Sequence, residues 1–233
     1  MLHLARSIQG KQPVYGLQAA GEGGKHLYKQ PVDEIAAIFL RQIKKVQPTG
    51  PYRIIGGSFG GVVAFGIAQL LHSGNEKVAL LGLIDTLPPG PRKKAKLITR
   101  IKLHLEKIRA LPINKYPEYF LNWWKIFLLA LARKKIFRKL FSFRKLDSAM
   151  KGAEVIRAGR AAYALYDPRP YPGNAVLFKA KERPWYVDWE PMDEWKKYIK
   201  GELHVVEVEG THGLVYKPPF VEGLAEAIKN QLG

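Results

Sequence analysis

The 233-residue chain reads as an α/β fold, a mostly parallel sheet with helices on both faces and one basic helical insertion. Three observations carry that reading. Strand-like and helix-like segments alternate along the chain. The run Val78 to Ile84 is continuously apolar, as a strand covered on both faces of a parallel sheet must be. Finally, Tyr52 to Leu70 passes from a short apolar strand through Gly56-Gly57-Ser58-Phe59-Gly60 into an apolar helical segment, which places G-x-S-x-G at a strand-to-helix turn.

In chain order, Val14 to Ala19 has strand composition and runs into the loop Ala20 to Gly24. Val32 to Val46 carries apolar residues at Ile35, Ala36, Ile38, Phe39, Ile43 and Val46, a helical period, with Asp33 and Glu34 favouring the N-terminal turn. Pro48-Thr49-Gly50-Pro51 stops that helix. Tyr52 to Ile55 is the next strand, followed by the serine turn and a helix to about Ser73, closed by Gly74-Asn75. The strand Val78 to Ile84 ends at Asp85. After the insertion, a helical segment Ala153 to Tyr166 precedes strands Ala175 to Ala180 and Leu203 to Val208, then Gly210-Thr211-His212-Gly213 and a terminal helix from about Val221 to Leu232. The whole chain, 1–233, is expected to form one domain with the insertion at about 91–150.

Composition narrows the function classes. Hydrophobic residues at 47% and charged residues at 25% suit an ordinary globular chain. The longest apolar run in the middle of the chain, Ile126 to Ala132, is far short of the roughly 18 residues a spanning helix needs, and a cytoplasmic location is the default expectation. With no cysteine, disulfides, thiolate metal sites and a cysteine nucleophile are all excluded. The net charge of +18 is concentrated: 17 Lys or Arg lie between Pro91 and Lys145 against only Glu106 and Glu118, while the rest of the chain is near neutral. Over residues 97–143, Leu97, Ile98, Ile101, Leu105 and Ile108, then Tyr119, Phe120, Leu121, Trp123, Trp124 and Ile126 to Leu129, are interleaved with Lys and Arg, as amphipathic helices separated at Pro112 and Pro117 are. Such a module is expected to cover the site as a lid.

Serine is a poor nucleophile at neutral pH and needs an adjacent base, which in turn needs an acid to orient it. His212 follows the last strand and Asp85 ends the strand after the serine helix, so both fall with Ser58 at carboxyl ends of parallel strands. The order Ser, Asp, His is that of α/β-hydrolases. His3, His26, His72, His104 and His204 occupy places less suited to this role, whereas Asp167 and Asp188 remain rivals of Asp85.

The segment Gly50-Pro51-Tyr52-Arg53-Ile54-Ile55-Gly56-Gly57-Ser58-Phe59-Gly60-Gly61-Val62-Val63-Ala64-Phe65 resembles the nucleophile region of the thioesterase domains that end non-ribosomal peptide and polyketide synthases. Gln12 to Gln18, Ala79 to Thr86 and Tyr171 to Phe178 resemble further stretches of the same family. The resemblance covers nearly the whole chain and implies an α/β-hydrolase fold with a helical lid. It also implies a serine thioesterase that receives an acyl or peptidyl chain from a phosphopantetheine thioester on a carrier protein or CoA. Ser58, Asp85 and His212 match the family's triad, and the Phe59 backbone N–H its oxyanion donor. No cofactor is expected beyond the 4'-phosphopantetheine that carries the substrate.

The chain departs from the family pattern in one important respect: it begins after the strand and the His-Pro-x-Gly-Gly-like loop that supply the second oxyanion donor, and so looks N-terminally truncated. Gly66 and Thr211 stand where the family often has Glu and Asp. The competing reading is therefore a weakly active or inactive remnant that acts as a binding module. An acidic carrier protein is the expected partner of the basic insertion, with Lys93, Lys94, Arg133 and Lys134 as candidate docking residues. The alternative partner for the same helices is an anionic membrane surface. Nucleic acid is not expected, since only charge would support it.

Overall fold

A computed structural model of the chain describes residues 2–8, 10, 13–17, 30–89, 162–163, 165–182 and 191–232, with 105, 108–109, 112, 116–117, 120–121 and 124. The chain divides into two compact units: Met1–Arg92 with Arg157–Pro184 and Trp189–Gly233, and Lys93–Ile156 with Trp185–Asp188. In the first unit helix α1 (Leu2–Ile8) and helix α2 (Val32–Val46) precede strand β1 (Tyr52–Gly57), helix α3 (Phe59–Ser73) and strand β2 (Val78–Ile84). Strand β3 (Ala175–Glu182), a short helix α4 (Pro191–Trp195), strand β4 (Leu203–Thr211) and helix α5 (Phe220–Lys229) follow.

The four strands form one sheet in the order β1-β2-β3-β4, and every neighbouring pair is parallel. Because successive side chains of a strand point to opposite faces, each buried strand feeds two cores. Leu80 and Ile84 of β2, with Val176, Phe178 and Ala180 of β3, pack against α1 and α5 through Leu4, Ile8, Val221, Leu224 and Ile228. Leu81, Leu83, Ala175 and Leu177 face the other way, onto Ala64, Phe65 and Ala68 of α3 and Trp195 of α4. Helices thus lie on both faces, as the alternating sequence pattern predicts.

Helix α2 buries Val32, Ile35, Ala36 and Phe39, a single stripe, and places Asp33 and Glu34 in its first turn and Lys44 and Lys45 in its last, where the helix dipole favours each sign. Helix α3 is buried almost all round, from Gly61 to Ala68 and at Leu71, because it is sandwiched between the sheet and α2. Gly66 belongs to that contact. A Cβ there would lie 3.1 Å from the Ala36 Cβ and 3.3 Å from the Tyr166 hydroxyl, so any side chain at 66 needs these neighbours to give by a few tenths of an ångström.

Some expectations are corrected. Val14 to Ala19 reads as a strand, yet residues 13–17 join no ladder, and Val14, Tyr15 and Leu17 are exposed. A short, partly apolar run can suggest a strand but does not supply a pairing partner. Among the described residues β1 is an outer strand. Strands β1, β3 and β4 run past their expected ends because pairing continues at Gly57↔Ile84 and Glu182↔Thr211. Cross-strand ion pairs Lys179–Glu207 and Lys181–Glu209 accompany the polar ends of β3 and β4. Helix α4 has no counterpart in the sequence reading.

In the second unit the described positions include a hydrogen bond from the Tyr116 hydroxyl to the Ile108 carbonyl, 3.2 Å, and exposed Leu105, Phe120, Leu121 and Trp124. Most of the expected lid helices, Lys93, Lys94, Arg133 and Lys134 included, lie outside the described residues, as does most of the helical segment Ala153 to Tyr166.

Candidate active site

Ser58 sits between the last residue of β1 and the first of α3, with φ 52° and ψ −122°. A positive φ in a non-glycine residue costs on the order of 1–3 kcal/mol and persists only where its surroundings hold it. Here the Ser58 N–H donates to the Ile84 carbonyl (3.0 Å) and the Ser58 carbonyl accepts from the Gly61 N–H (3.0 Å), so strand β2 and the first turn of α3 fix the serine from both sides. Phe59 opens α3, and its N–H belongs to the first-turn donors that no helical carbonyl satisfies.

The glycines around the serine do different work. A Cβ on Gly56 would lie 2.1 Å from the Gly60 carbonyl oxygen, and one on Gly61 would lie 2.0 Å from Thr86 Oγ1. Nothing stands within 4 Å of a Cβ built on Gly60. The close approach of strand and helix therefore needs Gly56 and Gly61, whereas the second glycine of G-x-S-x-G meets no obstacle of its own.

Asp85 and His212 come from the carboxyl ends of β2 and β4. Asp85 also has positive φ, 41°, and its N–H donates to the Phe178 carbonyl at 2.7 Å. Its Oδ1 accepts the Ala180 N–H at 3.2 Å, and its Oδ2 lies 2.7 Å from His212 Nδ1. The other ring nitrogen, Nε2, lies 3.1 Å from Ser58 Oγ. With Nδ1 protonated and donating to the carboxylate, Nε2 is left as the acceptor for the serine hydroxyl. The His212 loop is held by its main chain: the Leu214 and Val215 N–H groups both donate to the Thr211 carbonyl, at 2.9 and 3.1 Å. A threonine at 211 therefore leaves this turn intact.

Three residues absent from the sequence reading of the site pack around it. Thr86 is fully buried, its hydroxyl donating to the Ile84 carbonyl at 3.1 Å. The Trp195 indole N–H donates to the Thr86 carbonyl at 2.8 Å, and Trp195 itself is fully buried against Phe65. Tyr216, in the loop after His212, reaches back to the Ile84 carbonyl. Burial pushes its phenol well above the usual value, and the negative charge of Asp85 adds to that shift, so it remains a donor across the neutral and mildly alkaline range.

The competing candidates separate clearly. It is Asp85, not Asp167, that bonds to His212, and Asp188 lies outside the described residues. His3 is in α1; His72, in the last turn of α3, stacks edge-on with Tyr171; His204 lies near the start of β4, the end opposite His212. His26 and His104 lie outside the described residues. Among the described residues no group of three His, Asp or Glu side chains could hold a metal ion, and no helix is long and apolar enough to cross a membrane.

The family profile described as "Thioesterase domain" matches residues 2–232. The chain belongs to the thioesterase domain family. Within relatives of known description, this thioesterase-family chain is 29% identical over 222 residues to a dimodular nonribosomal peptide synthase of Bacillus subtilis, covering 92% of the chain and 9% of that protein. It is 34% identical over 236 residues to the vanchrobactin synthetase VabF of Vibrio anguillarum, covering 98% of the chain and 7% of that protein. The domain thus spans less than a tenth of either synthetase. Among solved structures, the NocB thioesterase domain in covalent complex with a fluorophosphonate nocardicin G analog aligns at 21% identity and TM-score 0.57, over 92% of this chain and 79% of that one. The Vlm2 thioesterase domain aligns at 17% identity and TM-score 0.62, over 100% and 88%. At these identities the two structures support the α/β-hydrolase fold.

Proposed function

We propose that this thioesterase-family domain is a serine hydrolase that takes an acyl or peptidyl chain from a phosphopantetheine thioester and releases it. The observation that carries the proposal is the unbroken chain from Asp85 Oδ2 to His212 Nδ1, 2.7 Å, and from His212 Nε2 to Ser58 Oγ, 3.1 Å, built on a strained serine that opens a helix. One relative to which the chain is similar is by name a nonribosomal peptide synthase, which supports a carrier-bound chain as the substrate.

In this mechanism Ser58 Oγ attacks the thioester carbonyl while His212 Nε2 takes the hydroxyl proton, and Asp85 stabilises the imidazolium that results. The Phe59 N–H and the N-terminal end of α3 face the negative charge that develops on the carbonyl oxygen. Collapse of the tetrahedral adduct breaks the carbon–sulfur bond, and His212 returns the proton to the departing pantetheine thiolate. Water, or a hydroxyl or amine of the chain itself, then gives a proton to His212 as it attacks the acyl-serine. Collapse of that second adduct restores the Ser58 hydroxyl and frees the acid or the cyclised product.

The partner is an acyl or peptidyl carrier protein, drawn to the basic stretch between Pro91 and Lys145, whose excess of 15 positive charges would raise the rate of encounter with an acidic protein. A fluorophosphonate probe tests the chemistry: it is expected to label the wild type and not Ser58→Ala, and a folded wild type that stays unlabelled would overturn the hydrolase. A pantetheine thioester is expected to turn over faster than the matching oxyester; the reverse order would make this an esterase. Reversing Lys93, Lys94, Arg133 and Lys134 together is expected to slow turnover of the carrier-bound substrate at low salt and to spare the free pantetheine thioester. Equal rates on the carrier would remove the docking role.

A further inference from the structure

We propose that Tyr216 is a positioning residue that couples the base loop to the nucleophile through the main-chain carbonyl of Ile84. The proposal rests on the hydrolase reading of Ser58, His212 and Asp85.

The Ile84 carbonyl is the point where the three segments of the site meet. It accepts the Ser58 N–H at 3.0 Å, so it fixes the strained backbone of the nucleophile. It belongs to the residue directly before Asp85, so its plane sets where the acid leaves the sheet. It also accepts the Thr86 hydroxyl at 3.1 Å from the acid's own loop, and the Tyr216 hydroxyl at 3.4 Å from the loop that carries His212. One oxygen therefore links nucleophile, acid and base without touching any of the three reacting side chains.

Tyr216 is fitted to this place by shape as well as by its hydroxyl. A Cβ on Gly57 would lie 2.2 Å from Tyr216 Oη and 2.9 Å from its Cζ, so the phenol occupies the space beside the α-carbon that directly precedes Ser58. Gly57 is in register with Ile84 on the neighbouring strand, which brings the glycine, the carbonyl and the phenol to one point at the top of the sheet. Three residues separate His212 from Tyr216, and one of them, Val215, is fully buried in the core formed with α5. The base loop is thus pinned by an apolar anchor at 215 and a polar one at 216. Removing the polar anchor leaves the fold its core and takes away the fixed distance between the loop and the elbow. In chemical terms the loss falls on the step in which His212 removes the serine proton, because that step requires Nε2 and Oγ to stay within hydrogen-bond reach.

The test uses the whole chain and the rate at which a fluorophosphonate probe modifies Ser58, together with kcat and KM on a pantetheine thioester. Tyr216→Phe keeps the ring and deletes the hydroxyl. Its labelling rate and kcat are expected to fall about five-fold, the effect of one ordinary hydrogen bond, with KM unchanged. Thr86→Val deletes the other hydroxyl on the same carbonyl. Because the two hydroxyls share one acceptor, the losses in the double variant are expected to depart from the product of the single losses by two-fold or more. Tyr216→Phe that labels and turns over like the wild type, or that changes KM alone, overturns the positioning role; losses that simply multiply overturn the shared carbonyl. A folded wild type that does not label overturns the hydrolase reading and this proposal with it, an outcome distinct from equal labelling of wild type and Tyr216→Phe.

Discussion

The indole N–H of Trp195 donates to the carbonyl of Thr86 over 2.8 Å, and so ties the short helix α4 to the residue that follows Asp85. Both residues are fully buried, so the carbonyl has no water to turn to. Trp195→Phe is expected to destabilise the domain by about 1–3 kcal/mol, the cost of a buried acceptor left unpaired. Trp195→Ala, which also empties the space against Phe65, is expected to cost about 3–5 kcal/mol. Urea unfolding of the three proteins checks the order.

The two glycines that frame the serine are expected to respond in opposite ways. Gly56→Ala drives a methyl group to 2.1 Å from a main-chain oxygen that cannot move without unwinding α3. A loss of about 3 kcal/mol or more follows, or failure to fold. Gly60→Ala meets nothing within 4 Å, and its helical position favours alanine. It is expected to leave stability unchanged or to raise it, which thermal melts of the two variants will show.

Asp85→Asn keeps the size of the side chain and the acceptor for the Ala180 N–H, but removes the charge that holds His212 in the tautomer with Nδ1 protonated. A fall in kcat of about 10⁴-fold is expected with little change in KM. Steady-state kinetics on a pantetheine thioester measure it, and a fall of less than ten-fold would assign the acid elsewhere.

Stability is expected to decline as pH rises above 10. The phenols of Tyr166 and Tyr216 are raised above their ordinary value first by burial and then by the charges of Asp33 and Asp85, so the folded domain holds these protons more tightly than the unfolded chain does. Their contribution is fully present below the unfolded value of 10 and is lost as pH rises from there towards the folded values. Following phenolate absorbance and circular dichroism together checks this: Tyr166 and Tyr216 are expected to ionise only as the fold is lost. Tyr166→Phe is expected to lessen the decline.

The legible parts of the chain were those that local rules fix. The apolar stripe of Val32 to Val46 and the unbroken run Val78 to Ile84 announce their elements because burial on one face or on two leaves a period in the sequence. Ser58, Asp85 and His212 could be grouped because each ends or follows a strand of a parallel sheet, which brings carboxyl ends to one edge. Trp195 and Tyr216 left no such trace. Trp195 meets Thr86 across 109 positions of chain, and Tyr216 meets Ile84 across 132, and neither contact follows from a spacing. The motif's second glycine misled in the other direction, since the tight contact falls on Gly56 and Gly61. Residues 13–17 show the limit of composition: an apolar run suggested a strand there, and no ladder partner exists for it among the described residues.

The bond from the Ala180 N–H to Asp85 Oδ1 comes from the main chain of the neighbouring strand. Nineteen of the twenty amino acids could donate it and proline alone could not. Position 180 can therefore drift among side chains small enough for its buried site without loosening the Asp85 carboxylate. The orientation of the carboxylate is inherited with the pairing of two strands, and would outlast every side-chain likeness by which a relative of this chain might be recognised.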